Sequence, residues 1–226
     1  MTNKYPDYIN YSFDFVMYLL IINLTFSVIF GIINLNFRKI LAIEALTSLI
    51  ALVIYYLIIN IYRKKTSNLT IKDWDKITIL RYIDWSITTP LLLISFSLFL
   101  ANGEKVKNLG NFIGTLIFFD LIMILSGFLG ARNIISDILS QIVGFSAFFM
   151  IFFLIYNKFF REITLTVNIL FKEIFFYVMF ILWFTYGVIY NLSTINRNIV
   201  TNILDGLSKG IFGLTLSICL LLKIVK

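Results

Sequence analysis

The sequence predicts an all-α membrane protein built as a bundle of seven transmembrane helices. Of its 226 residues, 60% are hydrophobic, and the mean hydropathy is +0.93. Charged residues make up 14% of the chain, whereas a soluble domain carries about 25%. Apolar residues in this excess cannot all enter one protein core, so many of them must face lipid.

Seven largely apolar runs, each near the roughly 20 residues that cross a bilayer as a helix, follow one another along the chain. Their approximate ranges are 12–33, 40–61, 77–100, 109–130, 134–156, 166–190 and 198–225. The third run is weakly apolar because it contains Arg81, Asp84 and Pro90. Short polar connections make consecutive helices antiparallel. We therefore predict that residues 1–226 form a single up-and-down membrane domain.

The composition also argues against several classes of function. The chain has no histidine, which rules out histidine-ligated zinc or haem and Ser-His-Asp catalysis, and no metal site is predicted. Its one cysteine, Cys219, cannot form a disulfide within the chain. The net charge of +7 comes from Lys and Arg residues that fall mostly between apolar runs, which indicates contact with anionic lipid headgroups rather than nucleic acid. An enzyme is not expected.

Four ionisable residues fall near the middle of predicted helices, where charged side chains are costly and are candidates for function. Arg81 and Asp84 share one face of the third helix, and Asp205 and Lys209 share one face of the seventh. Packed together, two cations and two carboxylates would balance one another. Such a cluster is either a structural ion-pair network or a functional site. A buried network is a poor source of stability, and a buried lysine suits covalent chemistry with a carbonyl group.

Residues 81–93, which read RYIDWSITTPLLL, resemble the third-helix signature of microbial rhodopsins, a family of seven-helix retinal proteins. The resemblance extends over nearly the whole chain. Trp183 and Tyr186 stand on the sixth predicted helix, and Asp205 and Lys209 have the family spacing Asp-x-x-x-Lys on the seventh. The resemblance implies that the predicted bundle is of the microbial rhodopsin type.

The same resemblance implies that all-trans retinal is covalently attached to Lys209 as a protonated Schiff base. A buried cation of this kind needs fixed negative charge beside it. Asp84 and Asp205 resemble the family's two counterions, and Arg81 resembles the cation beneath them. Large flat side chains suit a conjugated chain, and Trp85 and Trp183 are expected on either side of it. The residues expected to line the pocket are Tyr82, Trp85, Thr89, Leu92, Met123, Ser126, Gly127, Ser146, Trp183 and Tyr186.

Asp84, Thr88 and Ser95 lie on one inward-facing stripe of the third predicted helix. This set resembles outward proton pumps of the family, in which Asp84 would accept the proton and Thr88 would be its hydrogen-bonding partner. Ser95 stands where efficient pumps have a carboxylic acid that returns a proton, and a serine cannot hold a proton in that way. Reprotonation would then come through water or through another acid.

The short chain, the Asp/Thr/Ser set and the composition also resemble rhodopsins of giant viruses, some of which are light-gated cation channels. A channel is therefore one alternative to a pump. The slow cycle that Ser95 favours also leaves a photosensor with a protein partner as an alternative. Glu44 and Arg38 would be pore-side or intersubunit charges in a channel, or else a bundle-facing glutamate and a headgroup-level arginine. Asp120 is expected to be a protonated carboxyl group hydrogen-bonded between the third and fourth helices.

Seven crossings place the two termini on opposite sides of the membrane. Lys and Arg residues are divided almost evenly between the two sets of connections, so the positive-inside rule does not select an orientation. The family resemblance implies an extracellular N-terminus and a cytoplasmic C-terminus. The expected partners are protons or cations as the transported ions, the lipid bilayer and, as an open alternative, further copies of the chain in a homo-oligomer.

Overall fold

The computed structural model describes residues 7–64, 69–162 and 169–222 of the chain. Within these residues, seven helices are long and apolar enough to cross a membrane. They are α1 (Asp7–Ile33), α2 (Arg38–Lys64), α3 (Ile71–Leu100), α4 (Leu109–Ala131), α5 (Asp137–Glu162), α6 (Ile169–Asn191) and α7 (Thr194–Leu221). The predicted all-α fold, with seven spans in this order, is confirmed.

Two helix bounds differ from their predictions by six residues: α3 starts at Ile71 instead of near residue 77, and α5 ends at Glu162 instead of near residue 156. The start of α3 has a local explanation. Its first turn is too polar to be found by hydropathy, but it has a capping box. Thr70 Oγ1 accepts a hydrogen bond from the Asp73 backbone N–H at 3.3 Å, and Asp73 Oδ2 accepts one from the Thr70 backbone N–H at 3.0 Å. The predicted helix ends at residues 166–168 and 223–225 lie outside the described residues.

Consecutive helices pack as antiparallel neighbours, and α7 returns to α1 to close the bundle. A glycine allows this closure. A Cβ atom added to Gly210 would lie 2.7 Å from Leu19 Cβ and 3.2 Å from the Leu19 backbone carbon. Small residues permit such close approach of helices in membranes. The contact brings the middle of α7 against the middle of α1.

Two apolar clusters fill the interior at opposite ends of the bundle. On the side of the N-terminus, the smaller cluster joins the ends of α1, α2 and α3 and includes Phe13, Ile58 and Ile77. On the side of the C-terminus, a larger cluster rich in phenylalanine includes Phe96 and Phe212. Buried polar side chains of α2, α3 and α7 lie between the two clusters. The middle layer of the bundle is therefore where a polar site is shielded from both surfaces.

Candidate functional site

The four mid-helix charges come together in this middle layer. Lys209 Nζ donates a hydrogen bond to Asp84 Oδ2 and lies 3.3 Å from Asp205 Oδ1. Arg81 Nη1 lies 3.8 Å from Asp205 Oδ2. Each of the four residues is at most 6% exposed. Two buried cations thus face two buried carboxylates, and the formal charges of the cluster sum to zero.

The two carboxylates have different surroundings. Asp205 accepts hydrogen bonds of 2.6 Å from the hydroxyl groups of Tyr55 and Tyr186, one on each carboxyl oxygen. Trp85 Nε1 lies 3.4 Å from Asp205 Oδ1. Asp84 has its contact with Lys209 through Oδ2, whereas its Oδ1 has no hydrogen-bond partner among the described residues. Asp205 is therefore saturated with donors, and Asp84 keeps an oxygen that can take a proton.

A widened π-helical turn in α7, Gly206–Ile211, carries Lys209. Such turns are rare in helices and are frequent at functional sites. The turn breaks the regular pattern of backbone hydrogen bonds, and the side chain of Asn23 in α1 compensates for it. Asn23 Nδ2 donates to the backbone carbonyl oxygen of Lys209 at 2.9 Å. The position of the lysine backbone is thereby tied to α1.

A largely apolar cavity begins at Lys209 and extends between α3, α4, α5 and α6. The cavity lining includes nine of the ten residues that the resemblance places around the chromophore, namely Tyr82, Trp85, Thr89, Leu92, Met123, Ser126, Gly127, Trp183 and Tyr186. The wall is close-fitting at Gly127, where an added Cβ would lie 3.0 Å from the Tyr82 hydroxyl oxygen. Aromatic walls and a primary amine beside two carboxylates match a long apolar aldehyde such as retinal.

Two expectations about individual site residues need correction. Ser146 is exposed on α5 and does not line the cavity, because residues 141, 144, 145 and 148 form the inward helical face. Thr88 is buried beside Asp84, but its hydroxyl group donates to the Asp84 backbone carbonyl oxygen at 2.8 Å and not to the carboxylate. A threonine hydroxyl commonly bonds to the carbonyl oxygen one turn earlier in a helix.

On the C-terminal side of Lys209, Ser95 and Glu44 form a pair that spacing within one helix did not predict. Both residues are fully buried, and Ser95 Oγ lies 2.5 Å from Glu44 Oε1 and 3.2 Å from the Leu92 backbone carbonyl oxygen. A hydroxyl group has one proton to donate. Ser95 Oγ is the donor towards both oxygens and can serve one of them at a time, so it links the Glu44 carboxyl group of α2 to the backbone of α3. Glu44 therefore faces the bundle interior, and Arg38 is exposed.

Asp120 shows the same kind of arrangement between α3 and α4. Thr89 Oγ1 lies 2.7 Å from both Asp120 Oδ2 and the Trp85 backbone carbonyl oxygen. The Thr89 hydroxyl group is the donor towards both oxygens and links Asp120 of α4 to α3, whereas the protonation of Asp120 stays a prediction. A second buried amine, Lys172 in α6, was not among the sequence candidates, and its Nζ donates to the Asn102 backbone carbonyl oxygen at 3.0 Å. Lys172 lies in the first turn of α6, where the hydropathy of the sequence does not indicate that a lysine is buried.

Residues 10–222 match the profile of the Bacteriorhodopsin-like protein family. The chain belongs to this family. The family implies a retinal chromophore and places the protein among integral, multi-pass membrane proteins. A green-light absorbing proteorhodopsin from Gamma-proteobacterium EBAC31A08 is 35% identical over 74 residues, which are 33% of this chain and 29% of the proteorhodopsin.

Solved structures share the fold over nearly the whole length of the chain. The viral rhodopsin OLPVRII is 25% identical with a TM-score of 0.80, over 96% of this chain and 99% of that one. The proton pumping rhodopsin AR2 from the marine alga Acetabularia acetabulum is 22% identical with a TM-score of 0.78, over 100% of both chains. A blue light-absorbing proteorhodopsin from Med12 is 23% identical with a TM-score of 0.71, over 94% of this chain and 96% of that one.

Proposed function

We propose that this protein is a light-driven outward proton pump, with all-trans retinal attached to Lys209 and Asp84 as the proton acceptor. One observation carries the proposal. Asp84 contacts the Lys209 amine directly and keeps a second oxygen without a hydrogen-bond partner among the described residues. A buried carboxylate that touches a cationic nitrogen and can still take a proton suits the acceptor in a proton transfer.

The cavity residues would hold the chromophore. Lys209 would be the attachment point, and Trp85 and Trp183 line the cavity on helices α3 and α6, where flat side chains would flank a polyene. Retinal would supply the light-driven change of shape beside Lys209 Nζ. Asp205, fixed by Tyr55 and Tyr186, would act as the second counterion and would keep its charge throughout.

Proton release is proposed on the side of the N-terminus. Asp84 takes the proton held at Lys209 Nζ, and the neighbouring Arg81 marks the side towards which the proton then leaves. Arg81 lies one helical turn before Asp84 and contacts Tyr55, Asn198 and Asn202. This side offers a series of polar groups that can relay a proton with water. The direction is outward when the N-terminus is extracellular, as the family resemblance implies.

Proton return is proposed on the opposite side, from Glu44. Ser95 cannot store a proton, but it contacts the fully buried carboxyl group of Glu44, which can. Glu44 also lies against α7, because a Cβ added to Gly213 would be 2.3 Å from Glu44 Oε2. A proton on Glu44 can therefore reach Lys209 from the cytoplasmic half of the bundle. Glu44 of α2 would thus replace the carboxylic acid that efficient pumps have at the position of Ser95.

A light-gated cation channel is the second candidate. Some rhodopsins of giant viruses are channels, and the viral rhodopsin OLPVRII shares the fold of this chain. The burial of Glu44 favours the pump. A pore-side glutamate would face an aqueous path, whereas Glu44 is fully buried and hydrogen-bonded to Ser95.

Rhodopsins of giant viruses are the proposed relatives within the family. The single-domain organisation of residues 1–226 stays a prediction.

The acceptor is tested by the pH of an unbuffered suspension of cells that express the protein and are supplied with all-trans retinal. Illumination is expected to acidify the medium, and a protonophore to abolish the change. Asp84→Asn should shift the visible band to the red and stop acidification. The control is Asp14→Asn, which makes the same change in a surface ion pair with Arg63 and should leave both the band and the acidification unchanged. Acidification by Asp84→Asn at the wild-type rate would rule out Asp84 as the acceptor.

A further inference from the structure

The guanidinium group of Arg81 is held mainly by uncharged amides. Arg81 Nε donates to Asn198 Oδ1 at 2.9 Å, and Nη2 donates to Asn202 Oδ1 at 2.6 Å. The two asparagines lie one turn apart on the same face of α7, and both are buried. Buried guanidinium groups usually pair closely with carboxylates. Here the carboxylate of Asp205 is 3.8 Å away, farther than either amide oxygen.

Each amide is oriented by a second hydrogen bond through its nitrogen. Asn202 Nδ2 donates to Ser12 Oγ in α1 at 2.8 Å, and the Ser12 hydroxyl donates to the Ile9 backbone carbonyl oxygen at 2.7 Å. Asn198 Nδ2 donates to the Thr194 backbone carbonyl oxygen at 2.8 Å. With the NH₂ groups engaged in this way, both carbonyl oxygens must point at Arg81. The start of α1 therefore takes part in aiming the amide of Asn202.

Neutral acceptors satisfy the donors of a guanidinium group without cancelling its charge. The full positive charge of Arg81 then acts on the two carboxylates. The titratable and charged groups around it are Tyr55 of α2, Asp84 of α3, Tyr186 of α6, and Asp205 and Lys209 of α7, with Arg197 lining the same cavity. A carboxylate in place of either amide would divert the field of Arg81 away from Asp84 and Asp205.

We infer that Asn198 and Asn202 are positioning residues, which clamp the Arg81 cation against the counterion pair so that Asp84 stays ionised until it accepts a proton. The inference deepens the proposed function and rests on the proposed roles of Lys209 and Asp84. It assigns a task to two side chains that make no contact with the chromophore's attachment point. It also explains how the buried arginine is stabilised when, among the described residues, Asp205 at 3.8 Å is its nearest carboxylate.

A double-mutant cycle on the retinal-bound protein tests this inference. The measured quantity is the midpoint pH at which acid shifts the visible band, in wild type, Asn202→Leu, Arg81→Gln and the double variant. Asn202→Leu should raise the midpoint by about one pH unit, a tenfold change in proton affinity. In the Arg81→Gln background the same substitution should change it by no more than about 0.3 unit, the usual limit for independent sites. Asn111→Leu, on the exposed face of α4, is the matched control and should leave the midpoint unchanged.

Equal shifts in the two backgrounds would overturn the inference, because Asn202 would then act without Arg81. An unchanged midpoint in Asn202→Leu would overturn it as well. If Asn202→Leu does not take up retinal, Ser12→Ala takes its place, because it removes only the bond that orients the Asn202 amide. Its shift in midpoint pH should be smaller and must also depend on Arg81. Failure of the proposed function is seen separately, because it appears as acidification of the medium by Asp84→Asn at the wild-type rate, whereas the cycle measures the acid transition of the visible band.

Discussion

The two sides of Lys209 are built differently. Towards the N-terminus, Arg81 joins α1, α2 and α7 through a connected set of hydrogen bonds that includes Tyr55, Asn202 and Ser12. Towards the C-terminus, the buried acid is Glu44, which pairs with Ser95 at the edge of the phenylalanine-rich cluster. The first side is organised around a cation, whereas the second side has the carboxyl group of Glu44 among buried uncharged side chains such as Asn23 and Ser48. If the proposed pump is correct, release is expected to be quick and return slow.

The largest effect is expected at the centre, which both sides share. Lys209→Ala removes the proposed attachment point and should abolish visible absorption after incubation with all-trans retinal. Lys172→Ala is a matched control, because it removes a second fully buried lysine, which lies away from the cavity lining. It should retain the visible band even if it lowers thermal stability. A visible band in Lys209→Ala equal to that of wild type would disprove the attachment.

A smaller but still large effect is expected at Glu44. Glu44→Gln keeps the side-chain shape but removes the proton, so the last phase of the light-driven absorption cycle should slow by about 100-fold, the lower range for loss of a general acid. The early phases, which depend on Asp84, should keep their rates. Flash photolysis measures both, with the surface variant Glu162→Gln as the control. A late phase of normal rate would remove Glu44 from the return path.

A second substitution at Ser95 tests whether the position of the acid matters. In Glu44→Gln/Ser95→Asp, a carboxylic acid on α3 replaces the one lost from α2, at a position in direct contact with residue 44. The late phase should recover by about tenfold relative to Glu44→Gln alone, as general acids contribute rate when they lie within hydrogen-bond reach. No recovery would indicate that return of the proton requires a carboxyl group on α2 itself.

The smallest effect is expected from Ser95→Ala. This substitution removes one hydrogen bond to Glu44 and leaves the acid in place, so the late phase should change by about fivefold or less, the equivalent of roughly 1 kcal/mol. The same flash measurement checks it. A slowing as large as that of Glu44→Gln would mean that the serine hydroxyl group, and not the glutamate, is the essential group on the C-terminal side.

Much of the fold and of the charge cluster follows from the sequence, since it depends on hydropathy and on spacing within one helix. The seven spans and the shared faces of Arg81 with Asp84 and of Asp205 with Lys209 are features of this kind. The Glu44–Ser95 pair depends on how α2 and α3 are rotated about their axes, which no single-helix pattern determines. The orientation of Asn202 depends on Ser12, 190 residues away. Ser146 was misplaced for a related reason, because a strongly apolar helix shows little contrast between its faces.

Light-induced current under voltage clamp, in cells supplied with all-trans retinal, tests proton pumping most directly. With symmetric solutions, the current is expected to remain outward at zero voltage and to be lost in Asp84→Asn. A current that vanishes at zero voltage and reverses near the equilibrium potential of an ion would contradict the pump and identify a channel.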